Sequence, residues 1–212
     1  MATKKIHALL DGKWEDGTRP KDVYALYVSK KPQAHVEAVV RGLRADSRRI
    51  QNGCAEIASL LSEERPELLY PHLSLFVENL EAGEPVLRWE AACTVGNLAA
   101  VDEGRRIPGC LPRLFGFLGD KSIVLQGHAV KALAKCARAY PEEAPGILTE
   151  LVAAKERFPG NRVGTLIEAM ASFVQSARLA KKAAAFVEPY SRSEIQSVAK
   201  KASRVLKKIA KS

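Results

Sequence analysis

The sequence predicts an all-α protein built as a stack of about five helical hairpins, and three observations carry that prediction. First, an anchor returns about every 37 residues: Gly53, Ala91, Ala129, Leu166 and Ala202 are separated by 38, 38, 37 and 36 positions. Second, the same apolar pattern follows each anchor. Four residues on come Ile57, Val95, Leu133, Met170 and Leu206, and seven on come Leu60, Leu98, Cys136, Phe173 and Ile209. Anchor, +4 and +7 lie on one face of an α-helix, so each segment reads as the core face of an equivalent helix. Third, no stretch shows the alternation of a half-buried strand. A fixed period of roughly 20–50 residues marks a repeat architecture in which each unit buries its apolar face against its neighbours.

Residues 1–31 fall outside the clean period. Trp14 sits between Gly12 and Gly17 in a turn-rich stretch, and Asp22-Val23-Tyr24-Ala25-Leu26-Tyr27-Val28 reads as a short helix over the first repeat. The segment is read as an N-terminal cap or extension, since the end of a stack must be shielded. Its polar start, with only Ala8-Leu9-Leu10 apolar, carries no secretory signal. Residues 32–212 hold the repeats. A shorter apolar helix precedes each anchored one, usually announced by proline, which the first helical turn tolerates because its missing N–H has no partner there. The clearest begin around Pro71, Pro112 and Pro145, with an earlier copy at Pro32. Glu81-Ala82-Gly83-Glu84-Pro85, Gly119-Asp120-Lys121-Ser122 and Phe158-Pro159-Gly160-Asn161 are the turns between units.

With a period near 38, proline opening the first helix and Val86-Leu87-Arg88-Trp89-Glu90-Ala91-Ala92-Cys93-Thr94-Val95-Gly96-Asn97-Leu98-Ala99 in the second, the chain resembles HEAT repeats over roughly residues 32–211. The stretch from Leu125 keeps the apolar pattern without the usual arginine, and the unit from Val163 places Leu166 where a small residue is typical. The resemblance implies a right-handed α-α superhelix, or solenoid, whose second helices line a concave face. Positions opposite the core stripe then become candidate contacts with a partner: Trp89, Asn97, Lys131, Lys135 and Arg138. Trp89 reads either as an aromatic hot spot or as edge packing over the preceding turn.

The net charge of +9 is uneven. Residues 1–49 carry 11 Lys/Arg against 6 Asp/Glu, residues 50–177 carry 12 against 16, and residues 178–212 carry 10 against 2. In the last helix Ile195, Val198, Ala202, Val205, Leu206 and Ile209 form an apolar stripe. Lys200, Arg204, Lys207, Lys208 and Lys211 gather opposite it as a basic patch. This face reads as the solvated side of a C-terminal capping helix, as a surface for an acidic protein or a nucleic acid, or as a helix touching an anionic membrane, though it lacks large aromatics on its apolar side.

Signals for chemistry are weak. The sequence has no phosphate-binding glycine loop, no G-x-S-x-G, no H-E-x-x-H and no C-x-x-C pair. His7, His35, His72 and His128 are scattered over different units, and no His-Glu dipeptide of the kind that holds iron in HEAT-like enzymes occurs. DNA glycosylases for alkylated bases resemble the chain in size, basic charge and helical content. Of the aromatics and carboxylate that resemblance implies, only Trp89 and Glu90 are present on a candidate second helix. The four cysteines are expected as free thiols in a reducing compartment, and no run approaches the roughly 18 apolar residues of a membrane span. The reading is a cytoplasmic, non-catalytic scaffold that binds a protein partner, acidic in one version, without metal or cofactor. The alternative is a nucleic-acid-binding protein related to alkylated-base repair.

Overall fold

Why the period yields stacked hairpins is visible in the computed structural model, which describes residues 2–211. Met1 and Ser212, the outer bounds of the expected segments 1–31 and 32–212, lie outside the described residues. The chain divides into two compact units, Met1–Arg105 and Arg106–Ser212. Every regular element among the described residues is helical.

Unit 1 opens with α1 (Ala2–Asp11) and α2 (Pro20–Val23), the latter continued by a π-helical turn over Tyr24–Val28. Two turns of hairpin follow: α3 (Pro32–Gly42) with α4 (Arg48–Glu64), then α5 (Pro66–Leu69) and α6 (Leu73–Asn79) with α7 (Pro85–Leu98). Proline stands at the first position of α2, α3, α5 and α7, where it removes no helical hydrogen bond. Helix α1 packs on α3 and α4, and α2 packs on α4. The amphipathic α1 buries Ile6 and Leu10, and the Trp14 indole N–H caps it by donating to the Leu10 carbonyl at 2.9 Å. Between α1 and α2 the chain reverses through Gly17 at φ +84°, a conformation that favours glycine.

Two further glycines are required by contact. A Cβ on Gly53 would lie 2.7 Å from Leu10 Cδ2, and one on Gly42 would lie 2.2 Å from Cys54 Sγ. The first anchor of the repeat is therefore glycine because α1 presses directly on α4.

Unit 2 holds three hairpins: α8 (Leu111–Phe117) with α9 (Ile123–Ala139), α10 (Ala144–Ala153) with α11 (Val163–Met170), and α12 (Ala177–Val187) with α13 (Gln196–Ile209). Helices α9 and α12 are capped by Ser122 and Ser176, whose hydroxyls accept from Leu125 N and Leu179 N at 3.3 Å. Helix α11 packs on α9 and α13 as well as on α10 and α12, so the core of unit 2 runs continuously along its second helices. Leu133, Cys136, Leu166, Met170 and Phe173 are all completely buried there. All four cysteines are free; Cys54, Cys110 and Cys136 are buried and Cys93 is half-buried.

The repeat is tied together by polar side chains as well as by apolar ones. Several bonds join residues one period apart: Asn97 to the Ser59 carbonyl, Gln175 to the Ala137 carbonyl, Arg162 to Gln126 and Arg204 to Glu168. Within each unit, later repeats thus reach back to the repeat before them.

Candidate partner-binding surface

On α4, Asn52, Glu56 and Ser59 fall at i, i+4 and i+7 and share a face. Helix α7 lies against α4 and brings Glu90 beside Glu56 and Ser59. The half-buried Trp89 indole donates to Glu90 Oε1 at 3.2 Å. Burial holds the Glu90 carboxyl above its ordinary 4.5; hydrogen bonding from Ser59 opposes this, the charge of Glu56 adds to it, and the bond from Trp89 opposes it. Glu56 is likewise held above 4.5, first by burial, with Lys21 pulling it down and Asp22 pushing it up. One turn before Glu56, Asn52 turns its amide nitrogen toward Glu84 Oε1 at 3.5 Å. Its Oδ1 is buried with no donor among the described residues.

This cluster is rich in acceptors. Two half-buried carboxylates lie near one another, with Lys21 acting on Glu56 and the indole N–H of Trp89 donating to Glu90. An ammonium or guanidinium group brings further positive charge and several N–H donors to such a set.

The other expected ridge residues divide by exposure. Asn97 was expected on the open face of α7, yet it is buried at 8% exposure. Its side-chain amide donates to the Ser59 carbonyl at 3.2 Å and to Ser62 Oγ at 2.8 Å. Helix α7 packs on α4, α5 and α6 and buries residues around most of its circumference, so the position opposite one stripe is still interior. Asn97 holds the ridge together and is not displayed on it. In unit 2, Lys131 and Arg138 are exposed two turns apart on α9, with Lys135 half-buried between them. Lys200, Lys207 and Lys208 are exposed on α13, and Lys211 is exposed just past its end. Arg204 is exposed but bonded to Glu168 Oε1 at 2.5 Å, while Lys201 holds Oε2 of the same carboxylate at 3.0 Å.

Charge follows the two units. Unit 1 carries 14 Lys/Arg against 16 Asp/Glu, and unit 2 carries 19 against 8. The basic first 49 residues are outweighed by acids later in unit 1, which nets −2, and unit 2 carries +11. Glu56 and Asn52 were missed by sequence reasoning. The available signal was a carboxylate three residues past an anchor, at the edge of the core stripe and in register to meet the next second helix.

Among the described residues no group of three or more His, Cys, Asp or Glu side chains is placed to hold a metal ion. No helix is long and apolar enough to cross a membrane among those residues.

No family model and no curated relative matches the sequence. Solved structures do match. The designed armadillo repeat protein YIII(Dq)4CqI is 19% identical, covers 97% of this chain and 98% of its own, and superposes with a TM-score of 0.67. The designed armadillo repeat protein YIII(Dq.V1)4CPAF, in complex with peptide (KR)4, is 18% identical over 98% of this chain and 91% of its own, with a TM-score of 0.69. A computationally designed armadillo repeat protein for modular peptide recognition gives 19%, 97%, 91% and 0.64. The fold is an all-α helical-repeat solenoid. At these identities the likeness is one of fold, and it reaches from one end of the chain to the other.

Proposed function

We propose that this repeat protein is a non-catalytic scaffold, built from HEAT-like hairpins, that binds a segment of a protein partner along the second helices of unit 1 and receives a cationic side chain at Glu56, Glu90 and Trp89. The observation that carries the reading is the pair of half-buried carboxylates, each held above its ordinary value, one of them bonded by the Trp89 indole N–H. Burying like charges is costly unless a cation arrives to neutralise them. A side chain from a partner restores that balance, and a ridge already rigid in the stack lowers the ordering cost of binding. A fold neighbour in complex with peptide (KR)4 supports a basic segment as the ligand class. The acidic partner suggested by net charge suits the composition of unit 2 and is the weaker match to this site. The free cysteines fit a reducing compartment, and we place the protein in the cytoplasm.

The test is fluorescence anisotropy with a labelled Lys-Arg octapeptide and a Glu-rich peptide of equal length. Saturable binding of the basic peptide, lost on Glu90→Gln with Glu56→Gln, supports the reading. Equal binding of both peptides, or no change in the double variant, overturns it.

A further inference from the structure

The last hairpin of unit 2 carries a charge distribution that its own packing does not explain. Residues 178–212 include ten Lys/Arg and only two acids, Glu188 and Glu194. Both acids lie at the turn joining α12 to α13, one opening the 3-10 segment Glu188–Arg192 and the other just before α13. Helices α12 and α13 pack together across this short connection, which makes them antiparallel. The first turns of α12 and the last turns of α13 therefore share the opposite, open end. Arg178, Lys181 and Lys182 come to it from α12; Lys207 and Lys208 come to it from α13 and Lys211 from just past its end. All six are exposed.

Helix electrostatics accounts for half of this arrangement. Lys207 and Lys208 stand in the last turn of α13, where the negative end of the dipole favours cations. Arg178, Lys181 and Lys182 stand in the first two turns of α12, at the positive end, and the first turn of α12 contains no acid. Cations in that position oppose the dipole. Local ion pairing does not hold them either: Glu168 engages Lys201 and Arg204. Arg178, Lys181, Lys182, Lys207 and Lys211 have no acidic partner within ion-pair distance among the described residues. Cations on α13 continue from Lys200 to Lys208, about 12 Å along the axis at 1.5 Å per residue, with Lys211 just beyond the helix end.

We infer that the open end of the α12–α13 hairpin is a docking surface for the phosphate backbone of a nucleic-acid duplex. Lysine supplies four of the five unpaired cations, and the residues exposed among them are Ala177, Ala185, Ser203 and Ala210, with no aromatic. Protein interfaces are depleted in lysine and use aromatic anchors, so an acidic protein is a poorer match. A single strand needs rings to stack on, and this face offers none. Membrane insertion needs large apolar groups, which are also missing from it. Evenly spread ammonium groups on a smooth surface suit a repeating line of phosphates read without sequence preference. The inference rests on unit 2 alone and stands apart from the peptide site in unit 1.

The experiment is a titration of the full chain with labelled duplex DNA, duplex RNA and single strands from about 50 to 200 mM salt. The variants are Lys181→Gln/Lys182→Gln/Lys207→Gln/Lys211→Gln and, separately, Glu168→Ala. The wild type should bind duplex with a log–log salt slope of about −4.5 to −5.4 for five to six contacts, and the quadruple variant should lower that slope by about 3–4 at roughly 0.9 per contact. Glu168→Ala releases Arg204 and Lys201 and should tighten binding. Circular dichroism and thermal melting confirm that each variant is folded. Duplex binding unchanged in the quadruple variant overturns the inference. So does the absence of duplex binding at 50 mM salt, preference for single strands, or stronger binding to phosphatidylserine vesicles or polyglutamate at equal salt.

Discussion

The side-chain amide of Asn97 on α7 donates to Ser62 Oγ on α4 at 2.8 Å, and the Ser62 hydroxyl passes its own proton to the Ser59 carbonyl at 2.8 Å. Asn97 and Ser62 are both buried, at 8% and 1% exposure. The bond therefore joins two successive second helices in a place where water does not compete for its partners. Replacing Asn97 with alanine leaves the Ser62 hydroxyl without its donor and the Ser59 carbonyl with the Ser62 hydroxyl alone. We expect Asn97→Ala to destabilise the protein by about 1–3 kcal/mol, read as a lower urea midpoint. Affinity for the basic peptide should change little, because this side chain faces the ridge interior. A large loss of affinity at unchanged stability would return Asn97 to the contact surface.

Much of the fold was legible because the apolar stripe repeats: of the fifteen anchor, +4 and +7 residues, only Leu60 and Leu206 are less than buried. The width of the stripe was not legible. A second helix in a stack meets its own first helix and the neighbouring second helix, so it buries more than one face. Cys54, Ala58 and Leu61 join Gly53 and Ile57 in the interior of α4, and Asn97 joins Ala91 and Val95 in α7. A polar residue at +6 looks exposed on a helical wheel drawn for one partner, and becomes a tie when there are two or more. The cluster of Glu56, Glu90 and Trp89 was half legible: Trp89 and Glu90 stood out as neighbours in sequence. Glu56 enters only because α4 and α7 lie side by side, a contact between residues 34 positions apart.

The close approach at Gly42 and Gly53 gives a sharp test of how the first helix is seated. A methyl group on Gly42 meets Cys54 Sγ at 2.2 Å, and one on Gly53 meets Leu10 Cδ2 at 2.7 Å. Alanine ordinarily stabilises a helix relative to glycine by about 1 kcal/mol. Here overpacking opposes that gain, and Gly42→Ala should cost a net of about 1–3 kcal/mol. Gly53→Ala should cost less, because the Leu10 side chain can shift. Pairing Gly42→Ala with Cys54→Ala should recover part of the loss; a double variant no better than the single one would contradict the clash.

Glu90 links stability to pH with a definite sign. Its folded-state value lies above the ordinary 4.5. Between the two values the folded chain binds more protons than the unfolded one, so stability falls as pH rises through that window and then levels off. Glu90→Gln removes the cost of ionising this buried group and should be more stable than the wild type above the window, with a shallower decline in urea melts as pH rises above the ordinary carboxylate range. Peptide affinity should run the other way. A cationic ligand needs the carboxylate ionised, so binding should strengthen as pH rises through the same range and release protons as it does so. A pH-independent affinity in the wild type would argue that Glu90 does not face the ligand.

Trp89 separates the aromatic contribution from the charge. Its indole N–H steadies Glu90, and its ring lies at the rim of the carboxylate pair. Trp89→Ala should weaken the basic peptide by about 2 kcal/mol, near 30-fold, as expected for a hot spot. Trp89→Phe keeps a ring without the N–H and should recover most of the affinity. Equal losses in the two variants would assign the effect to the hydrogen bond with Glu90.

The bonds that join residues one period apart also constrain how such a chain can change in length. Asn97 reaches Ser59 across 38 positions, and Gln175 reaches Ala137 across 38. An insertion of a few residues inside a helix would rotate every later donor away from its acceptor and strand both in the interior. Removal or duplication of a whole period would hand each donor an equivalent acceptor in the adjoining copy. The spacing acts as a unit of exchange: a protein of this kind can lengthen or shorten its binding surface in steps of one hairpin, and in no smaller step, while keeping its interior bonded.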